Sequence, residues 1–334
     1  MANDKTLDKF PLVSIVILNY NGLVYLKKTL PPILELDYPN YECVIVDNGS
    51  IDGSVDYIKK HNRVKLIENG QNLGYSKGKN IGVKSAEGKF IFCLDEDILI
   101  RNKLILQDLI RFYDKAENPC FINVLLVDEA DRFSIPIVSK QYGGYYGLFG
   151  IKENKKIDID QIMKHGNTIE TVIAFGGNMF FAKSNWNCLG GLDESQKFNL
   201  DDDDISTRAR VLGFKNYLYN KDYLIHLGIE RRVDNKKFRF KYKYYFSGKG
   251  KPIIKNFQLK TILWMFPLYT LKTTVKTLKQ AINRFDPLLF YSFLVSMCIF
   301  IRDIKYTLEQ RKNIQSKRLV NDTVFLRIEL PQFD

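Results

Sequence analysis

The chain has 334 residues, 45% of them apolar, which is enough to bury a large core in one domain or two and excludes a disordered or fibrous protein. Five cysteines without C-x-x-C spacing and three scattered histidines argue against a disulfide scaffold and a His-rich zinc centre. The formal charge is +12, but it is uneven: residues 229–318 hold 21 Lys and Arg against five Asp and Glu, and the remainder is slightly acidic.

The opening "MANDKTLDKF" lacks the apolar run of a secretory signal. Cys43 and Cys93 sit in apolar runs, as buried free thiols do, so a cytoplasmic location is expected. "VSIVILN", "YECVIVD", "RVKLIEN" and "KFIFCLDED" are β-rich runs. Helical stretches lie between them, near residues 23–36, 54–61 and 76–86, with Pro31-Pro32 expected to bend or interrupt the first. Apolar strands alternating with helices predict a parallel sheet covered on both faces. Each strand ends in polar residues, many acidic, at the edge where open α/β sheets bind ligands. That favours a divalent cation between carboxylates and a ligand phosphate.

Residues 128–171 read as less regular and include "QYGGYYGLFG", suited to a mobile wall. "IAFGGNMFFAKS" then reads as a strand, and "KNYLYN" and "YLIHLG" as two more. Between them, "FNLDDDDISTRARVLGF" crowds Asp201, Asp202, Asp203 and Asp204 into one helical first turn. Free N–H groups and the helix dipole explain one or two aspartates there, but not four. With Ile205, Ala209 and Leu212 as the buried stripe, about 100° per residue puts Asp201 and Asp202 at its margins. Asp203 then faces solvent, and Asp204 is placed to pair with Arg208.

Beyond Gly228 the chain turns basic and amphipathic. Leu268, Leu271, Val275, Leu278 and Ile282 fall at helical spacing, with Lys272, Lys276 and Lys279 on other faces. "PLLFYSFLVSMCIFI" is too short to span a bilayer and fits an interfacial or buried helix. The expected boundary lies at 228/229. Residues 229–334 would be a membrane-surface element on the cytoplasmic face, bound to anionic lipid, or alternatively a helical cap on the body.

"FIFCLDEDI" carries a D-x-D at a strand end, which suits a hard cation plus a bound hydroxyl. The same pattern fits a haloacid-dehalogenase-like phosphatase with Asp95 as nucleophile. However, three strands precede it and Ile98 follows it, where that class usually has the D-x-D strand first and Thr or Val next. A nucleic-acid-binding protein acting through "RFKYKYYF" is the other alternative. It lacks a recognised motif, and no nucleic acid is expected.

Taken in order, "SIVILNYNG", "VIVDNGSIDGS", "NLGYSKGKNIG", "FIFCLDEDI" and "GGLDESQKFNLDDDDISTR" resemble the family 2 glycosyltransferases of the GT-A fold across roughly residues 11–228. The resemblance implies an α/β catalytic domain over residues 1–228, with a Rossmann-like, mostly parallel sheet. It implies a metal-dependent inverting enzyme that moves a sugar from a nucleoside diphosphate sugar to an acceptor hydroxyl, and the basic tail points to a growing or lipid-linked glycan as that acceptor. By the same resemblance, Tyr20 lies beside the base, Asp47 accepts a hydrogen bond from it, and Asn80 shapes the donor pocket. Asp95 approaches the ribose and Asp97 ligates Mg²⁺ or Mn²⁺, with His226 completing the metal shell. Relatives carry Glu-Asp where this chain has Asp201-Asp202, so Asp202 is the implied base and Asp201 the second choice. From the residues alone, Asp47 could simply cap its turn, Tyr20 could be core, Asn80 a helix-interior hydrogen bonder and His226 a satisfied core residue.

Overall fold

Alternation along the first strands decides which face of the sheet each side chain meets. The computed structural model describes residues 10–128, 163, 169–196, 201–228 and 235–326. It forms β1 (Val13–Asn19), α1 (Leu23–Leu34), β2 (Tyr41–Asp47), α2 (Ser54–Lys59), β3 (Val64–Glu68), α3 (Tyr75–Ser85) and β4 (Phe90–Asp95) in the expected order. Val13, Ile15 and Ile17 of β1 pack with Cys43, Ile45, Phe92 and Leu94 under α1, whose Leu26, Leu30 and Ile33 close this core. The alternate residues Val16, Val44, Ile91 and Cys93 point the other way and meet Val83 of α3. Period 2 in the strands thus builds two cores on opposite faces.

Next come β5 (Ile98–Leu99), α4 (Ile105–Lys115), β6 (Pro119–Asp128), β7 (Ile169–Thr171), β8 (Asn178–Ala182), α5 (Lys183–Leu189), α6 (Asp201–Val211) and β9 (Lys215–His226). The strands form one sheet in the order β3-β2-β1-β4-β8-β6-β9-β5, with β7 paired to β9. The β3-β2-β1-β4 half is wholly parallel, and β6 is parallel to β9. β8 runs antiparallel between β4 and β6. The α/β class with helices on both faces is as expected.

Two local expectations change. Pro31 and Pro32 lie inside α1 without interrupting it; they occupy its last turn, and the helix ends at Leu34. "KNYLYN" and "YLIHLG" are one strand, because β9 continues through an irregularity at which Val124 pairs with Tyr219 and Leu125 with Tyr223. Gly78 and Gly82 of "GYSKGKNIG" serve helix–sheet packing. A Cβ on Gly78 would strike Leu18, and one on Gly82 would strike Val16, so only glycine lets α3 lie this close to the sheet. The "QYGGYYGLFG" segment lies outside the described residues.

The C-terminal region is helical: α7 (Asn235–Asn256), α8 (Leu259–Asn283), α9 (Pro287–Arg302), α10 (Ile304–Ser316) and α11 (Asp322–Leu326). Ile253, Met265 and Ile314 from these helices, and Phe257 between the first two of them, pack on Val172, Ile173 and Val211 of the sheet-bearing part. Among the described residues no single helix is long and apolar enough to cross a membrane; α9 and α10 pass that test only as a pair bent by 56°.

Candidate active site

The parallel register lines up the strand ends: Asn19 sits opposite Asp47, Asp47 opposite Glu68, and Leu18 opposite Asp95. At this edge Asp47 is buried and fully engaged. Its Oδ1 accepts from Asn19 Nδ2 at 2.7 Å and Ser50 Oγ at 2.5 Å, and its Oδ2 accepts from the Gly49 and Ser50 amides at 2.9 Å. Four bonds fill a carboxylate's acceptor sites, so Asp47 first of all fixes the turn after β2. Tyr20, 46% exposed, stands open to solvent just beyond β1. Asn80 is also committed: its Nδ2 donates to Leu192 O and Glu194 Oε1, and its Oδ1 accepts from the Leu192 amide. It ties α3 to the "GGLDES" loop.

Asp95 ends β4 and Asp97 follows it, both with free oxygen capacity. Lys79 of α3, 1% exposed, reaches under the sheet edge and places its Nζ 3.1 Å from Asp95 Oδ1 while donating to Leu94 O. The short β5–β9 pairing sets Ile98 opposite His226, and the Leu227 amide donates to Asp97 O. This brings His226 Nε2 to 3.2 Å from Asp97 Oδ2. Asp97 Oδ1 and His226 Nδ1 are both buried without a hydrogen-bond partner. Burial pushes the Asp97 carboxyl above its ordinary range, His226 opposes this, and Asp95 adds to it. Burial, then Asp95 and Asp97, push Glu96 up to about 8. Crowded carboxylates with unpartnered atoms are what a divalent cation would relieve. Among the described residues no three or more His, Cys, Asp or Glu side chains form a complete cage. Two protein ligands fit an ion whose remaining positions go to substrate phosphates and water, the usual arrangement for Mg²⁺.

The aspartate quartet faces this centre across Gly176 and Gly177. The Asp95 amide donates to Gly177 O at 2.9 Å, and a Cβ on Gly177 would crowd Asp95 Oδ2. One residue earlier, the Gly176 amide donates to Asp202 Oδ2 at 3.3 Å, and Tyr75 Oη donates to Gly176 O at 2.7 Å. Asp201 is buried, with Ser76 Oγ donating to its Oδ2 at 3.1 Å, and Asp202 is half-buried. The expected solvent face of α6 is only partly present, since Asp203 is half-buried and every residue from Asp204 to Val211 is buried. The cause is α7, which covers α6 from outside. Lys255, 2% exposed, puts its Nζ 2.9 Å from Asp204 Oδ2 and 2.5 Å from Asp193 Oδ2. Asp204 also pairs with Arg208 at 3.1 Å, as its spacing predicts.

Burial holds the Asp201 carboxyl up to about 6, despite the Ser76 hydrogen bond that favours its charged form. A raised carboxyl binds its proton more tightly in the folded state, so folding stability falls as pH rises from about 4 to about 6. The loss is on the order of 3 kcal/mol. Asp201→Asn should flatten that segment of a urea-midpoint-against-pH curve; an unchanged slope would show that Asp201 titrates normally.

Tyr75, Lys79 and Val83 recur at i, i+4 and i+8, the face of α3 turned to the sheet, which is the signal by which Lys79 could have been found. Nothing in the local sequence around Asp204 points to Lys255, 51 residues away.

A family model, that of glycosyl transferase family 2, matches residues 14–187, more than half the chain. The chain belongs to glycosyltransferase family 2. An uncharacterised glycosyltransferase of Haemophilus influenzae is 36% identical over 103 residues, covering 30% of this chain and 41% of that relative. The chain therefore spans less than half the length of such curated relatives. Among solved structures, Staphylococcus aureus TarS 1–349 with UDP aligns at a TM-score of 0.53 and 16% identity, covering 89% of this chain and 91% of that one. GalNAc-T7 with UDP, GalNAc and Mn²⁺ aligns at 0.54 and 15% identity, covering 74% and 51%. These likenesses establish the GT-A fold. The family match tells against the phosphatase and nucleic-acid alternatives.

Proposed function

We propose that this family 2 glycosyltransferase is a metal-dependent inverting enzyme that moves a sugar from a nucleoside diphosphate sugar to a hydroxyl of a growing or lipid-linked glycan. The observation that carries this reading is the facing pair of groups at the sheet edge. Asp95 contacts Gly177 and Asp202 contacts Gly176, while Asp97, two residues after Asp95, pairs with His226 and shares with it buried, unpartnered atoms. The TarS and GalNAc-T7 structures, which contain UDP, and in GalNAc-T7 also Mn²⁺, support the same donor class and cation here.

Tyr20 is free to lie against the base, and Asp47 holds the turn beside it. Lys79 fixes Asp95 at the ribose side. A Mg²⁺ or Mn²⁺ ion held by Asp97 and His226 would supply Lewis-acid stabilisation of the diphosphate leaving group. Asp202 takes the proton of the acceptor hydroxyl as that oxygen bonds to the anomeric carbon, and the bond to the diphosphate breaks on the opposite face. Holding both substrates in line removes much of the entropic barrier. Imidazole among the ligands favours Mn²⁺ over Mg²⁺.

Asp97→Ala should weaken Mn²⁺-dependent binding of UDP or GDP by at least about tenfold in calorimetry, since loss of even an outer-shell partner of a metal site costs about 10–100-fold. Equal heats from wild type and variant, with and without Mn²⁺, would remove Asp97 from the metal site.

A further inference from the structure

The α8–α9 pair leaves a row of large apolar side chains uncovered, although it belongs to the most basic part of the chain. Leu271, Val275 and Ile282 of α8 and Leu288 and Tyr291 of α9 are all exposed. Between the helices stands Phe285, 94% exposed and held at φ +49°. Its φ is that of a helix C-terminal cap: the Phe285 amide donates to Ile282 O and the Asp286 amide to Ala281 O, so the backbone holds the ring out in water, where nothing covers it. Large apolar patches on soluble proteins mark contact surfaces.

Charge runs alongside this face. Lys272, Lys276 and Lys279 each follow an exposed apolar residue of α8 by one position, so they form a row about 100° around the helix from the stripe. Lys276 donates to Tyr245 Oη at 3.2 Å, and Lys249 of α7 lies 5.6 Å from the Tyr245 ring centre. Burial pushes the Tyr245 phenol up, but Lys249, Lys276 and Lys272 outweigh it and leave it below its ordinary value. Three lysines from two helices therefore converge beside the apolar stripe.

We infer that the α8–α9 face docks on an anionic phospholipid surface, with Phe285 and the α8 stripe entering the acyl boundary and the lysine row meeting headgroup phosphates. Long lysine stems suit this geometry, since they bury carbon while the ammonium stays at the interface. A second copy of the chain is a poorer occupant, because protein interfaces are depleted in lysine and a two-fold contact would bring the rows toward each other. Among the described residues no single helix is long and apolar enough to span, which suits a contact that lies on the surface. This surface would keep the enzyme beside a lipid-linked acceptor, but the docking itself does not depend on which sugar is moved.

The test is flotation of the full chain with vesicles of phosphatidylcholine, alone or mixed with phosphatidylglycerol. The wild type should float with the mixed vesicles, stay behind with phosphatidylcholine alone, and be released by raised salt. A variant with Lys272, Lys276 and Lys279 all changed to Gln should bind roughly 100-fold more weakly. Phe285→Ser should weaken binding at least tenfold, and both variants should keep the wild-type circular dichroism and UDP affinity. Failure of the wild type to float with mixed vesicles, or undiminished flotation of both variants, overturns the inference. A concentration-dependent dimer in ultracentrifugation that Phe285→Ser abolishes would also overturn it and assign the face to a second copy.

Discussion

Asp202→Asn should reduce sugar transfer by roughly 10²–10⁴-fold while leaving nucleotide binding intact, because the amide keeps the shape of the carboxylate and cannot take a proton. The geometry separates the candidates within the quartet. Asp204 is fully buried and spent on Lys255, Asn256 and Arg208. Asp201 is buried under Ser76. Asp202 alone of the four combines partial exposure with contact to the glycine segment that touches Asp95. In single-turnover transfer, Asp203→Asn should be near wild type and Asp201→Asn intermediate. Near-normal transfer by Asp202→Asn would remove it as the base.

The second large effect is on stability. Lys255→Met should cost about 3–5 kcal/mol, since it strands buried carboxylates. Asp193 loses its main counter-charge, and Asp204 keeps only Arg208 and Asn256. Burial pushes the Asp193 carboxyl up, but Lys255 outweighs it and holds it well below the usual range. A depressed carboxyl stabilises the fold above its unfolded pKa, near 4, and that contribution is lost as pH falls. Lys255→Met should therefore lower the urea midpoint most at neutral pH and lose less than wild type on acidification, the opposite sign to the Asp201 effect. An unchanged midpoint at pH 7 would show that the clamp contributes nothing.

The strands and first helices were legible because each is short, apolar and in period. The runs around Ile15, Ile45 and Phe92 permit hardly any other reading. The D-x-D at Asp95 and Asp97 was legible for the same reason, since it lies at the end of an unmistakable strand. What local patterns do not carry is pairing across distance. The α6 wheel assumed water on its outer face, whereas α7 lies there and drives Lys255 between Asp193 and Asp204. Asn80 and Asp47 look like ligands in a linear motif, yet their polar atoms are largely taken up by Leu192, Glu194, Ser50 and Gly49. The C-terminal helices look separable by charge, but Met265 and Ile314 complete a core with Val211. Cutting the chain after Lys260 would therefore damage the body as well as any lipid contact, and surface substitutions are the cleaner probe.

The most direct measurement is release of nucleoside diphosphate from a panel of nucleotide sugars, with Mn²⁺ or with EDTA, by wild type and by Asp97→Ala. Slow hydrolysis of the true donor needs no acceptor. The expected result is consumption of one donor class by the wild type with Mn²⁺ and by neither protein in EDTA, with the variant strongly impaired. Metal-dependent release of phosphate from an aryl phosphate, with no nucleotide sugar bound or consumed, would contradict a nucleotide-sugar transferase built on this site.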